Sequence, residues 1–305
     1  MNKELYTLTA SDLASAPYFF DRTAHKGLYG RTLVVAGSKD IYGACFFCAI
    51  SAYKSGAGLV KIVTHENNRI SLQHDLPEAM FSFYEESDAG FADDLLTDIG
   101  TFDTVVIGPG LSKAAVSVKL VETVIRNADY DRQILVFDAD ALNIIADNNL
   151  LFDELCDKVK SARSHVVFTP HEGELRRLCK SLQSSFDAKE NGRALKGNEL
   201  DRFTETFYEH TEIVLVRKGA DTIIYGKKRY LNTTGNDGMA TAGSGDVLAG
   251  IMGGALHRYI LGGETDFAKA VAYCVYIHGY AGNLARDAIG PIGMMARDIL
   301  DHIMV

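Results

Sequence analysis

The stretch Gly235-Asn236-Asp237-Gly238-Met239-Ala240-Thr241-Ala242-Gly243-Ser244-Gly245-Asp246 places four glycines ahead of an acid. It runs straight into Val247-Leu248-Ala249-Gly250-Ile251-Met252, which is apolar at helical spacing. A Gly-rich loop feeding a helix offers unpaired backbone N–H groups and the positive end of the helix dipole to an anion. Asp246 then falls in the first helical turn, where a carboxylate would repel a phosphate that is merely bound. It suits a base that takes the proton of a hydroxyl attacking that phosphate. A lone Asp here would read as an N-cap or first-turn acid; the glycine density favours chemistry. Gly243, Ser244 and Gly245 are the groups whose N–H bonds would hold a moving phosphoryl group.

Such a loop has to be positioned, and the chain alternates in a way that can do it. Thr32 to Ala36, Leu59 to Val63, Met80 to Phe83, Thr104 to Ile107, Ile134 to Phe137, His165 to Phe168 and Ile213 to Val216 are short apolar runs, as in strands buried on both faces. Helical patterns fall over 44–55, 91–99 and 114–127, so 32–63 is a βαβ unit and the sheet is parallel. Thr222 to Tyr225 and Arg229 to Leu231 flank Gly226 and predict an antiparallel hairpin at one edge. Three longer helices are expected to close the chain, from Asp246, over 265–286 and over 294–303. The polar stretch 181–209 reads as a surface helical excursion. No linker, low-complexity tract or repeat interrupts the pattern, which predicts one domain over 1–305, a doubly wound α/β/α sandwich.

In open parallel sheets ligands bind beyond the carboxyl ends of the strands. Gly37-Ser38, Gly108-Pro109-Gly110, Asp138-Ala139-Asp140, Thr169-Pro170-His171 and Lys218-Gly219 each follow a predicted strand directly. Gly-Pro-Gly is a common turn, and a single His after a strand is more often structural. Convergence with the anion loop on one rim predicts a site. Lys218 could reach a nucleotide phosphate or simply end its strand; Gly219, Ala220 and Thr222 suit close approach of a nucleotide. Glu174 and Asp138 are candidates for indirect contact with Mg²⁺, or else caps, and no residue is assigned as a direct metal ligand. No His/Cys spacing suggests zinc. The sequence has neither a Walker G-x-x-x-x-G-K-[ST], nor a kinase H-R-D set, nor a strand-turn-helix G-x-G-x-x-G.

Composition excludes other classes. The chain has 305 residues, of which 47% are hydrophobic and 23% charged, enough for a large core. A net charge of −9 argues against nonspecific binding to nucleic acid or an anionic membrane. No apolar run approaches the ~18 residues that span a bilayer, and the N-terminus lacks a signal-peptide pattern. Five cysteines, odd in number and mostly scattered, fit a reducing cytoplasm. Cys45 and Cys48 form a C-x-x-C, a pattern that can be redox-active, but they sit in an apolar run where small helix residues packing on a sheet explain them more simply.

A Gly-x-Gly-Asp anion loop ending in its base resembles the ribokinase-like superfamily. The fuller set is narrower. His25-Lys26-Gly27 with Gly30-Arg31, Gly37-Ser38 with Tyr42-Gly43-Ala44, Gly56-Ala57-Gly58-Leu59-Val60, Gly108-Pro109-Gly110-Leu111, Asp138-Ala139-Asp140-Ala141-Leu142-Asn143, Thr169-Pro170-His171-x-Gly173-Glu174, Lys218-Gly219-Ala220 and the 235–246 loop together resemble the ADP/ATP-dependent NAD(P)H-hydrate dehydratases, in order over about 25–255. The resemblance implies a carbon–oxygen lyase that repairs the S epimer of hydrated NADH or NADPH, with phosphorylation of the hydrate hydroxyl followed by loss of phosphate. It implies a ribokinase-like three-layer α/β/α fold, Mg²⁺, ADP or ATP as co-substrate with ADP favoured, a separate epimerase as functional partner, and a homo-oligomer, commonly a tetramer. By resemblance, Ala44, Gly110, His171 and Asp246 contact the hydrated dinucleotide, and Lys218, Gly219, Ala220, Asp221, Thr222 and Gly245 contact the nucleotide donor. The sequence departs from the family pattern at Ser112 and Ala242, where Gly is usual, at Glu172, where Pro is usual, and at Arg217, where an apolar residue is usual. Ala242 matters most, because a methyl in the anion loop is tolerated only if that residue does not need positive φ. A sugar or vitamin-precursor kinase of the same superfamily is the alternative. A non-catalytic nucleotide sensor is a third reading, against which the intact Asp246 argues.

Overall fold

The computed structural model describes residues 4–87, 91, 99–187 and 199–305, with backbone alone over 183–187. Its strands are β1 (Leu5–Thr7), β2 (Arg31–Val35), β3 (Leu59–His65), β4 (Met80–Tyr84), β5 (Thr104–Ile107), β6 (Ile134–Phe137), β7 (His165–Phe168), β8 (Val214–Arg217), β9 (Thr222–Tyr225) and β10 (Arg229–Asn232). They form one sheet in the order β1-β10-β9-β8-β7-β6-β5-β2-β3-β4. Every pair is parallel except β8/β9 and β9/β10. The predicted hairpin is therefore present, but it is not the edge: β1, in a segment without a clear strand pattern, adds outside it and runs parallel to β10.

The strands are apolar on both faces because helices cover both. Val34, Val106, Val136 and Val167 point into one core; Leu33, Val35, Val105, Ile107, Leu135, Phe137, Val166 and Phe168 point into the other. The first core is closed by α2 (Gly43–Lys54), α9 (Ser244–Leu261), α10 (Phe267–Ile289) and the short α11 (Ala296–Asp301). Small α1 (Ala10–Ala14) and α3 (Arg69–Asp75) lie near the edges. The second core is closed by α4 (Ala115–Asn127), α5 (Asp140–Ala146), α6 (Asn149–Ser161), α7 (Glu172–Asp187) and α8 (Glu199–Thr211). The predicted 91–99 helix lies largely outside the described residues. Two expectations are corrected. Within 181–209 the part from 199 on is no surface excursion, since Leu200, Phe203 and Phe207 of α8 are buried in the second core, and residues 188–198 lie outside the described residues. The last closing helix is six residues rather than a long one.

Two close approaches fix the first layer. A Cβ on Gly250 or Gly254 of α9 would collide with the carbonyl oxygens of Cys48 or Ala52 on α2, so the two helices pack almost backbone to backbone. This accounts for the C-x-x-C pattern: Cys45 and Cys48 are free, fully buried thiols on the face of α2 that meets the sheet and α9. Burial pushes the Cys45 thiol up to about 11 and Cys48 well above its usual value, the opposite of a redox pair.

Candidate active site

Parallel register puts the loops on one rim. Val35 pairs with Ile107, Ile107 with Phe137, and Phe137 with Phe168, so β2, β5, β6 and β7 end level. The ladder continues past the strand ends: Gly37 N–H donates to Pro109 O at 2.8 Å, Asp138 N–H to Ile107 O at 3.1 Å, Thr169 N–H to Phe137 O at 3.2 Å and Lys218 N–H to Pro170 O at 3.1 Å. The five predicted strand-end motifs are thereby brought together. The His25-Lys26-Gly27 and Gly30 motif is not among them. Gly58 N–H donates to Gly30 O at 2.9 Å where β2 and β3 begin, at the opposite end of the strands.

The anion loop enters α9 through Gly243, whose φ of +91° is the left-handed conformation open to glycine. Ala242 is not among the positive-φ residues, so its methyl is accommodated. A Cβ on Gly243 would lie 2.8 Å from Ala296 Cβ and 3.0 Å from Phe47 Cδ2, which shows how closely α2 and α11 seat the loop. The Ser244 N–H turns back to Thr241 O at 3.3 Å. Among the described residues, the N–H groups of Gly243, Gly245 and Asp246 have no backbone acceptor, which leaves them for a ligand.

Asp246 stands in that first turn, half-buried, and its carboxylate takes no hydrogen bond among the described residues. Burial first, then the charge of Asp138, pushes it up to about 6, against the pull of Lys218. Lys218 Nζ lies 2.8 Å from Asp138 Oδ1, and Thr169 Oγ1 donates to the same oxygen at 2.7 Å. Burial alone would lower the Lys218 pKa, but Asp138, Glu174 and Asp246 together hold its ammonium above the ordinary lysine value. A Cβ on Gly245 would be 3.5 Å from Lys218 Nζ, so the cation faces the helix N-terminus that would hold an anion.

His171 caps α7. Its Nδ1 accepts from Gly173 N–H at 3.0 Å and its Nε2 lies 3.1 Å from Glu174 Oε1, while Glu174 Oε2 accepts from His171 N–H at 2.9 Å. This reciprocal cap leaves the imidazole largely exposed on the rim and Glu174 buried beneath it. Burial is the main cause that raises the Glu174 pKa. Gly110 and the buried Ala44 are neighbours, since a Cβ on Gly110 would fall 2.7 Å from Ala44 Cβ. The Lys218–Thr222 turn is closed by Thr222 Oγ1, which donates to Gly219 O at 3.0 Å, while Gly219, Ala220 and Asp221 are exposed. Asp140 braces the rim by accepting from Ser112 N–H at 2.8 Å.

Sequence reasoning did not single out Thr169 as the partner of Asp138, nor His278 of α10, whose Nε2 is 3.3 Å from Ser244 Oγ. Thr169 sits inside a motif that was visible. His278 is one polar residue in an apolar helix and gives no local signal. Among the described residues no three His, Cys, Asp or Glu side chains converge as a metal site.

A family model described as NAD(P)H-hydrate dehydratase matches residues 32–304. The chain belongs to the NAD(P)H-hydrate dehydratase family. It is 35% identical over 291 residues to a bifunctional NAD(P)H-hydrate repair enzyme of Moorella thermoacetica, covering 93% of this chain and 50% of that protein; it thus spans about half the length of this relative. It is 32% identical over 260 residues to an ADP-dependent (S)-NAD(P)H-hydrate dehydratase of Lactiplantibacillus plantarum, covering 84% of this chain and 80% of that protein. Among solved structures it resembles a ribokinase-like superfamily protein of Enterococcus faecalis, with TM-score 0.77, 25% identity and coverage of 98% and 94%. It also resembles an ADP/ATP-dependent NAD(P)H-hydrate dehydratase of Bacillus subtilis co-crystallised with ATP and Mg²⁺, with TM-score 0.71, 26% identity and coverage of 99% and 97%. The fold is the ribokinase-like α/β/α sandwich expected from the sequence, mostly parallel with a small antiparallel part.

Proposed function

We propose that this chain dehydrates the S epimer of hydrated NADH or NADPH at the expense of ADP, with ATP as the second choice of donor. The observation that carries the reading is Asp246. It is a carboxylate without a hydrogen-bond partner among the described residues, with its pKa pushed up to about 6, one residue after Gly245 and on the same rim as His171, Gly110 and Ala44. The names of the relatives support the substrate, and the Lactiplantibacillus plantarum protein supports the donor.

Hydroxide leaves carbon poorly and phosphate leaves well, so the reaction divides in two. Asp246 takes the proton of the hydrate hydroxyl as its oxygen attacks the terminal phosphorus of ADP, and the bond to AMP breaks. The Gly243 and Gly245 N–H groups hold the charge that gathers on the moving phosphoryl. Lys218, kept charged by Asp138, meets the donor phosphates over the exposed 219–221 turn, and Thr222 keeps that turn closed. His171, Gly110 and Ala44 place the hydrate. In the second step the carbon–oxygen bond breaks toward phosphate and the adjacent ring carbon loses a proton. The products are the dihydronicotinamide, AMP, phosphate and a proton.

Mg²⁺ would be held mainly by nucleotide phosphates and would offset their charge. Asp138 and Glu174 fit it only through water: Asp138 Oδ1 is committed to Lys218 and Thr169, and Glu174 to His171. The proposal includes one ribokinase-like domain over 1–305, a separate epimerase as functional partner, a homotetramer and a cytoplasmic site of action. No helix among the described residues is long and apolar enough to cross a membrane.

Hydrated NADH incubated with Mg²⁺ and either nucleotide should regain the nicotinamide absorbance and release phosphate. No recovery with ADP or ATP refutes the reading. A stable phosphorylated product would point instead to a small-molecule kinase.

A further inference from the structure

The proposed chemistry makes no use of His278, yet this residue ties the end of the anion loop to the helix behind it. α10 holds the loop along one face. Thr234 Oγ1 donates to Tyr276 O at 3.1 Å, and Asn236 Nδ2 donates to Asn283 Oδ1 at 3.2 Å. The contour of Gly282 admits Met239. These contacts fix the loop upstream of its functional end. At that end, Ser244 opens α9 with its side chain buried, and His278 Nε2 lies 3.3 Å from its Oγ.

A helix's first turn lacks backbone partners on its N-terminal side, so side chains from elsewhere must set its direction. Here the backbone contributes two bonds, from Ser244 N–H to Thr241 O at 3.3 Å and from Val247 N–H to Gly243 O at 3.0 Å, and neither holds the Gly245 or Asp246 N–H. Among the described residues, it is the His278 ring that reaches residues 243–246 by side-chain hydrogen bonding, meeting the Ser244 hydroxyl and also the Ser244 backbone. We propose that His278 is a positioning residue. By holding the Ser244 hydroxyl it fixes the first turn of α9, and with it the direction of the Gly243 and Gly245 N–H groups and of the Asp246 carboxylate. Burial pushes the imidazole down to about 4, so it stays neutral where Asp246 is ionised and adds no charge beside the phosphate. The effect on rate rests on the dehydratase reading; the effect on the loop does not.

Three variants test it: His278→Leu removes the ring nitrogen, His278→Gln returns a polar atom near the same place, and Ser244→Ala removes the hydroxyl. A misplacement of about 1 Å costs on the order of 10²-fold in rate. His278→Leu and Ser244→Ala should therefore lose about that much kcat, with KM for ADP changed by no more than about 3-fold. His278→Gln should recover to within about 10-fold of the parent, and the Leu/Ala double variant should be no slower than the worse single one. Hydrogen exchange of a peptide covering 240–247 should be faster in His278→Leu and restored in His278→Gln. Parental kcat and exchange in His278→Leu, or equal damage in the Gln and Leu variants, overturns the proposal. If His278→Leu does not fold, Ser244→Ala decides by the same two readouts. A parent protein without dehydratase activity would overturn the functional reading instead, and the exchange measurement would still test His278.

Discussion

Lys218 Nζ and Asp138 Oδ1 are 2.8 Å apart at the ends of β8 and β6, with Asp138 almost fully buried and Lys218 a fifth exposed on its side chain. Removing one partner of a buried pair leaves an uncompensated charge and costs about 3–5 kcal/mol. Lys218→Gln should lower stability in urea by about 3 kcal/mol, and adding Asp138→Asn should restore more than half of the loss. Equal stability of the single and double variants would deny the pair its structural role. Binding of ADP, followed by calorimetry, should weaken by about 10-fold in Lys218→Gln, since a charge-assisted contact to phosphate is lost.

The pH dependence follows from Asp246. As a base it must be ionised, so kcat/KM should fall on the acid side with a midpoint near the value of about 6 to which its environment pushes it. Asp246→Asn should lower the rate by about 10²–10⁴-fold and abolish that limb. Stability moves the other way. The folded protein keeps the Asp246 proton up to about 6, while the unfolded chain releases it near 3.8. Between those values the folded state binds the extra proton, so stability falls as pH rises through the window. Asp246→Asn should therefore be more stable than the parent at pH ~8, by on the order of 1 kcal/mol after allowance for solvent, and show no gain near pH ~4. His278 acts oppositely: with its folded value near 4 and its unfolded value at 6.5, it costs stability as pH falls through that window.

The strands and the site rim were legible because both leave local marks. A strand buried on both faces is a short apolar run, as at 134–137, and the residue after it is where the register places chemistry. Asp246 was legible because glycine density around one acid is unusual. What escaped depends on partners distant in sequence. β1 is a strand only because β10 offers it an unpaired edge. The buried face of α8 was obscured by its charged outer face, with Glu199, Asp201, Arg202 and Glu205 masking Leu200, Phe203 and Phe207. His278 acquires meaning only when α10 is laid against the loop 34 residues upstream of it.

Backbone strain beside the site gives a third expectation. Ala139, between Asp138 and Asp140, has φ +49° and ψ −118°, and Ser112 has φ +66°. A side chain in such a conformation costs about 1–3 kcal/mol, and glycine relieves it at some entropic expense. Ala139→Gly should raise the denaturant midpoint, with a net gain of about 1 kcal/mol. Ser112→Gly should gain less, because Ser112 Oγ accepts from Ala114 N–H at 3.3 Å and lies 3.3 Å from Ser117 Oγ. A loss of stability in Ala139→Gly would mean that the conformation is not strained.

The contact between α9 and α2 links packing to catalysis. A Cβ at Gly254 would collide with the Ala52 carbonyl oxygen, an unyielding backbone atom, so Gly254→Ala must push the two helices apart. Overpacking of this kind costs typically about 1–3 kcal/mol. Gly100→Ala is the control, because a Cβ there meets nothing within 4 Å. The displacement should not stay local. Phe47 of α2 lies against Gly243 at the start of α9, so moving one helix along the other shifts the anion loop relative to the rim that holds His171 and Lys218. Gly254→Ala should thus lose kcat as well as thermal stability, whereas Gly100→Ala should change neither. A Gly254→Ala protein that melts early yet turns over hydrated NADH at the parental kcat, measured well below its melting temperature, would show that the loop is held by α10 and α11 without help from α2.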